Sequence, residues 1–124
     1  MNDNITAKAV SLKVVDPKVE FNLQEDGNKN YFFHECTIDV TGSVTWKNTT
    51  YTLPPTKQPI SGVSPQVTIP ITDLGFNPQK DDSITCCIKV LSTTSSSQGT
   101  SFSPVLIHGT VNYNDPGTNV EPII

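Results

Sequence analysis

The side chains of this sequence with the strongest intrinsic chemistry are two histidines, His34 and His108, and three cysteines, Cys36, Cys86 and Cys87. Imidazole nitrogens and thiolates are common zinc ligands, so a site built from His34, Cys36, Cys86 and His108 is the first chemistry to weigh. Their spacing argues against it, because no CxxC or HxxxH pair brings two ligands together locally. Three cysteines leave one unpaired, so the chain is not a disulfide framework. Cys36 and Cys86 could be bridged only if their strands face each other across two sheets. The expectation taken instead is that both are buried thiols acting as small hydrophobes. Cys86 and Cys87 point to opposite faces of one strand, which makes a bridge between them awkward.

Carboxylates offer acid–base or hard-cation chemistry. Glu35 and Asp39 fall on one outward strand face and Asp81 and Asp82 are adjacent, but acids on a solvated face are usually surface charge. Calcium could be held by loop oxygens at Asp73, Asp81 and Asp82, or around Glu25 and Asp26; solvated turns are the expectation there. Many serines are present, yet there is no GxSxG elbow and no glycine-rich phosphate loop. No enzyme activity, metal or cofactor is expected on these grounds. Asn4-Ile5-Thr6 and Asn48-Thr49-Thr50 match the glycosylation acceptor pattern, which chance supplies readily in a chain rich in Asn and Thr.

The formal charge of the 124 residues is −4, and the eight basic residues are all lysines scattered from Lys8 to Lys89. With no arginine fork and no basic cluster, nucleic acid is not an expected partner, nor is an anionic membrane surface. No run approaches the ~20 apolar residues of a membrane helix, and Met1 to Thr6 lack a basic start followed by an apolar stretch. The location is left open between intracellular, exported by a route without a cleaved signal, and secreted after removal of a leader.

These residues have to be positioned by strands. Hydrophobic residues make up 35% and charged residues 16%, with Ser, Thr, Asn and Gln filling the difference; that balance suits sheets with one polar face. Val10, Leu12 and Val14 form a first strand, and Val19, Phe21 and Leu23 alternate inward in a second. A longer alternation puts Phe32, His34, Cys36, Ile38, Val40, Val44 and Trp46 on one face and Phe33 and Glu35 on the other. A bend, a bulge or a change of sheet is expected at Thr41 to Ser43, around Gly42. A turn centred on Gly27 and Asn28 would pair Leu23 with Phe32, Phe21 with His34 and Val19 with Cys36. A four-residue connection over Lys47 to Thr50 would place Trp46 opposite Tyr51 and Val44 opposite Leu53.

Pro54, Pro55, Pro59 and Pro65 predict an extended surface loop. Val67, Ile69 and Ile71 form a strand that Pro70 confines to a sheet edge or to its frayed end, and Asp73 to Asp82 is a connection. Ile84, Cys86, Ile88 and Val90 face inward on a central strand. Ser92 to Ser103 predicts a polar loop that buries almost nothing. Val105, Ile107, Val111 and Tyr113 line the last strand, followed by a tail over 114–124. The fold class is all-β: one domain spanning 1–124, an antiparallel two-sheet sandwich of seven or eight strands with almost no helix, or alternatively a barrel.

Cys36, Trp46 and Cys87, with Asp81 six residues before Cys87, resemble the cysteine, tryptophan, cysteine order of immunoglobulin domains over about half the chain. Thr85 stands where the corner tyrosine would be. The resemblance implies immunoglobulin-like sandwich topology, not membership.

The function expected is a non-enzymatic binding module that recognises protein or carbohydrate through the long polar loops Pro54 to Pro65 and Ser92 to Ser103. The alternative is a structural subunit that forms a homo-oligomer. It would assemble through strand edges, the outward pair Tyr31 and Phe33, and the apolar tail residues Val120, Pro122, Ile123 and Ile124. A small hydrolase or a metal-binding protein ranks below both.

Overall fold

A computed structural model of the chain describes residues 3–15, 18–72, 74–94 and 98–113. Most of them lie in strands, and no helix occurs among them. Hence none is long and apolar enough to cross a membrane.

The smaller sheet is three-stranded and antiparallel. In β2 (Ala7–Val15) and β3 (Lys18–Glu25), Leu12, Val14, Val19, Phe21 and Leu23 point inward and are wholly buried. β2 carries a bulge between Val10 and Lys13, where Ser11 has a φ of 58°. The other edge of β3 pairs with β7 (Gln66–Pro70), placing Val67 and Ile69 beside Phe21 and Val19. Pro70, which has no N–H to donate, ends this edge strand as its chemistry demands.

The larger sheet is organised by β4 (Phe32–Trp46). One edge pairs with β8 (Ser83–Ser92), which pairs in turn with β10 (Val105–Asn112). The other edge pairs first with β6 (Thr56–Val63) and then with β5 (Thr49–Thr52). A short parallel ribbon joins β1 (Asp3–Ile5) to β9 (Thr100–Phe102). Ile84, Cys86, Ile88 and Val90 of β8, Val105, Ile107 and Val111 of β10, and Ile38, Val40 and Val44 of β4 meet the inward set of the small sheet in one core. The architecture is sandwich-like, with ten strands among the described residues where seven or eight were expected, and neither sheet closes into a barrel.

Several expected pairings differ. β3 does not pair with β4: turns after Glu25, including Gly27 at φ 104°, carry the chain from one sheet to the other, and β3 spends its edges on β2 and β7. The apolar pattern determines which face is buried, but facing residues across a core and residues across a ladder give the same pattern. At the start of β4, a bulge between Phe33 and Cys36, with Glu35 at φ 43°, reverses the alternation. Phe33 is therefore wholly buried, Phe32 is 59% exposed, and His34 is only partly covered.

The connection after β4 is a two-residue turn, Lys47 and Asn48, with φ of 50° and 62°. Positive φ at both positions is the primed hairpin geometry that matches strand twist. Trp46 thus faces Thr49, and Val44 faces Tyr51. β4 stays continuous at Gly42; there it is the partner strand that changes, with Leu53 N–H donating to the Gly42 carbonyl at 2.8 Å.

The stretch from Pro54 to Pro65 is not a loop. Thr56–Val63 is a strand whose only buried residue is Ile60, and β6 tolerates Pro59 because it lies at a sheet edge. Likewise, part of Ser92 to Ser103 is β9, with Thr100 wholly buried and Phe102 buried. Polar composition hid both.

Candidate functional site

The residues singled out for chemistry do not converge. His34 lies at the open end of β4 and His108 on β10, opposite Cys87. Cys86 pairs with Val44 of β4 and faces the core, while Cys36 sits eight residues from Val44 along β4, about 26 Å by strand rise. Cys36 and Cys86 therefore share a sheet rather than facing each other, and all three cysteines are free. Burial raises the Cys36 thiol pKa, an effect partly offset by hydrogen bonds with Thr94 and Ser92. Burial, with a smaller contribution from neighbouring Cys87, pushes Cys86 up to about 12. Both are buried core thiols. Cys87 points outward from the same sheet that buries Cys36, so the immunoglobulin-like order of cysteines has no inter-sheet counterpart here.

Among the described residues no three of His, Cys, Asp and Glu stand close enough to hold a metal ion. Asp73 lies outside the described residues. Asp82 plays a structural part, since its Oδ2 accepts hydrogen bonds from Gln79 N–H at 2.8 Å and from Trp46 Nε1 at 2.9 Å. The backbone donor first, then the indole, then the charge of Lys47 hold this carboxylate's pKa below its ordinary value. Asp81 pairs with Lys80 at 3.5 Å, and Asp39 with Lys57 at 3.8 Å. Glu35 is exposed. Glu25 borders a shallow polar depression with Lys8, Gln24 and Asn28.

Of the two segments expected to recognise a ligand, 92–103 has Thr94 and Thr100 bound into the framework. The Thr100 hydroxyl contacts Tyr31 Oη at 2.9 Å and accepts from His34 N–H at 3.1 Å, while Thr94 Oγ1 donates to the Thr100 carbonyl at 2.7 Å. Aromatic rings at the opposite end of β4 are also engaged: Phe76 meets Trp46, Tyr51 and Tyr113 edge-on at 5.8, 5.2 and 5.9 Å, and Lys47 Nζ lies 5.0 Å from the Trp46 ring centre.

The outer face of the large sheet is differently built. Its register lays the outward residues out in rungs. One is Thr110, Thr85, Thr45 and Thr50, tied by hydroxyl contacts of 3.0 Å between Thr85 and Thr110 and 3.1 Å between Thr45 and Thr50. The next is His108, Cys87, Ser43 and Thr52, and then Leu106, Lys89 and Thr41. A fourth holds Leu91, Asp39 and Lys57.

Around Gly42 this face dips. An open depression of about 370 Å³ is lined by Thr41, Cys87, Lys89, Leu106 and His108, and a second of about 320 Å³ by Thr41, Pro55, Lys57 and Leu91. Leu106 is 56% exposed beside the first. Gly42 keeps the backbones of β4 and β8 close: a Cβ there would lie 2.3 Å from the Cys87 carbonyl oxygen and 2.8 Å from Ile88 Cα.

Alternation alone places Cys87 outward on β8, and the inward Val105 and Ile107 put Leu106 and His108 outward on β10. The register of β8 against β10, whose connection includes β9, is not legible in the sequence. Searches of protein-family models, curated proteins and solved structures find no match to this chain.

Proposed function

We propose that this chain is a non-enzymatic binding module whose contact surface is the outer face of the large sheet, and whose ligand is a protein rather than a carbohydrate. The observation that carries this is Leu106, more than half exposed on the last strand of the large sheet, lining a depression that it shares with Thr41, Cys87 and Lys89. A sheet face held by paired strands changes shape little on binding, so little ordering entropy opposes the contact. Aliphatic and thiol lining with a single cation suits a partner's apolar side chain flanked by an acid. Sugars are generally held on open aromatic faces, and here Trp46, Tyr51 and Phe76 are packed on one another.

Screening the full chain against a displayed peptide library and a glycan array tests this. Peptides that carry an apolar residue next to an acid, and whose binding Leu106→Asp abolishes, are the expected outcome. Glycan hits alone, or binding indifferent to Leu106→Asp, would refute it.

A second proposal, a self-assembling structural subunit, is favoured by one feature. Phe32 and Val63 face each other across β4 and β6 and are 59% and 51% exposed. Phe33, expected to form an outward pair with Tyr31, is instead in the core, and 120–124 lie outside the described residues. Lys57 and Pro59 blunt the free edge of β6 against strand addition, so assembly would run through the Phe32 and Val63 side chains. Sedimentation of the wild type and of Phe32→Ser at several concentrations distinguishes the two: a concentration-dependent oligomer lost in the variant supports assembly, and a strict monomer excludes it.

A further inference from the structure

Asp26-Gly27 is the one place in the chain where glycine follows an aspartate or an asparagine. It lies in the turn that carries the chain from β3 of the small sheet to β4 of the large one, and residues 26–30 are all exposed. An aspartyl-glycyl link is prone to internal attack, because glycine has no Cβ to crowd its amide nitrogen as that nitrogen approaches the neighbouring carboxyl carbon. The turn leaves this nitrogen available. Asp26 N–H donates to the Thr6 carbonyl at 2.8 Å, Asn28 N–H to the Glu25 carbonyl at 3.2 Å and Tyr31 N–H to the Asn28 carbonyl at 3.1 Å, and none of these bonds uses the Gly27 N–H. Gly27 has φ 104°, and a Cβ there would have Glu25 Oε1 as its nearest contact, at 3.7 Å. Asp39 and Asp82 are differently placed. Asp39 lies inside β4, where the backbone is extended and committed to ladders on both sides, and the Asp82 carboxylate is taken by Gln79 N–H and Trp46 Nε1.

We propose that Asp26 is a modification site: the Gly27 amide nitrogen closes on the Asp26 side chain, and the link isomerises to isoaspartate in the folded protein. The inference is independent of the contact face on the large sheet. Gly27 N bonds to Asp26 Cγ, the C–OH bond of the protonated carboxyl breaks, and the amide proton leaves with that hydroxyl as water. Water then adds to the Asp26 α-carbonyl carbon of the succinimide ring and the bond from that carbon to Gly27 N breaks. The main chain now runs through Cγ, and the α-carboxylate becomes the side group. The water lost in the first step is regained in the second, so the product is an isomer. The main chain gains one methylene carbon between Glu25 and Gly27. The Asn28–Glu25 bond spans that insertion and is lost, whereas the Asp26–Thr6 bond precedes it and persists. No core residue lies in 26–30, so the fold survives the change. The product is an exposed isoaspartyl carboxylate, the group that S-adenosylmethionine-dependent repair methyltransferases esterify.

The test ages the full chain for weeks at physiological temperature and neutral pH, folded and in urea, as wild type, Asp26→Glu and Asp82→Glu. Isoaspartate is measured with an isoaspartyl methyltransferase and labelled S-adenosylmethionine, and located by peptide mapping with electron-transfer fragmentation. In the folded wild type the isomer should accumulate at residue 26 at unchanged mass, with a minor species lighter by one water, and circular dichroism should not change. Asp26→Glu keeps the charge but would need a larger ring, so it should lose most of the methyl-accepting signal. Asp82→Glu should keep it. A folded wild type without isoaspartate at residue 26, whether or not the isomer forms in urea, overturns the inference. A methyl-accepting signal undiminished in Asp26→Glu overturns it as well.

Discussion

Gly42 holds the two central strands of the large sheet together, and Gly42→Ala is the substitution that probes this contact most sharply. The added Cβ would sit 2.3 Å from the Cys87 carbonyl oxygen, 2.8 Å from Ile88 Cα and 3.2 Å from the Cys87 carbonyl carbon. All three are backbone atoms of β8, which is itself pinned by β10, so no side-chain rotation relieves the clash. Overpacking of this kind costs about 1–3 kcal/mol, and loss of one ladder hydrogen bond as β8 shifts adds about 0.5–1.5 kcal/mol. The expected destabilisation is therefore about 1.5–4.5 kcal/mol. Unfolding entropy scales with length, so a domain of this size loses about 4 °C of Tm per kcal/mol, and Tm should fall by roughly 6–18 °C.

Gly62→Ala is the control. Gly62 has φ 97° on β6, but its Cβ would meet nothing within 4 Å, so only backbone strain of about 1 kcal/mol is expected. Differential scanning calorimetry measures both. If Gly42→Ala melts within ~2 °C of the wild type, or loses less than Gly62→Ala does, β4 and β8 do not approach as described.

The native thiols should separate by burial: iodoacetamide with peptide mapping should modify Cys87 and leave Cys36 and Cys86 intact until the chain unfolds, and equal labelling would contradict the placement of β8. Glu20 is a buried carboxylate held by Lys13 at 3.4 Å, Lys18 at 3.3 Å and the Gln66 amide at 3.3 Å. Glu20→Ala should cost about 1–3 kcal/mol in urea unfolding, and Glu20→Gln less, since the amide contact can persist. Asp82 has a folded pKa below its ordinary 3.8, so the stability it contributes is complete above that value and is lost as pH falls through the folded pKa. In an NMR titration, Trp46→Phe should raise the Asp82 pKa toward 3.8, and no movement would mean that the indole does not hold the carboxylate.

How much of this is legible in the sequence follows from what alternation encodes. Ile84, Cys86, Ile88 and Val90 read as inward and are buried, as are Val19, Phe21 and Leu23, because period two fixes the face of a strand. The strand's neighbour is a separate matter. A plausible turn pairs Leu23 with Phe32, whereas the chain crosses between sheets there, and nothing local distinguishes a hairpin from a crossover. The phase of β4 fails at one residue, Glu35, whose bulge turns Phe33 in and Phe32 out. β6 is invisible because an edge strand with one buried residue, Ile60, carries no apolar period. The candidate surface is half legible: the outward directions of Cys87, Leu106 and His108 follow from their neighbours, but their adjacency is a property of long-range register.

The central claim is that recognition occurs on the outer face of the large sheet and not through the 92–103 segment. Amide chemical-shift mapping of the nitrogen-15-labelled chain, titrated with the tightest peptide from the library screen, tests it directly. Shifts concentrated at Thr41, Cys87, Lys89, Leu106 and His108 are expected. Shifts confined to 92–103, or to the Phe32 and Val63 end of β4 and β6, would contradict it.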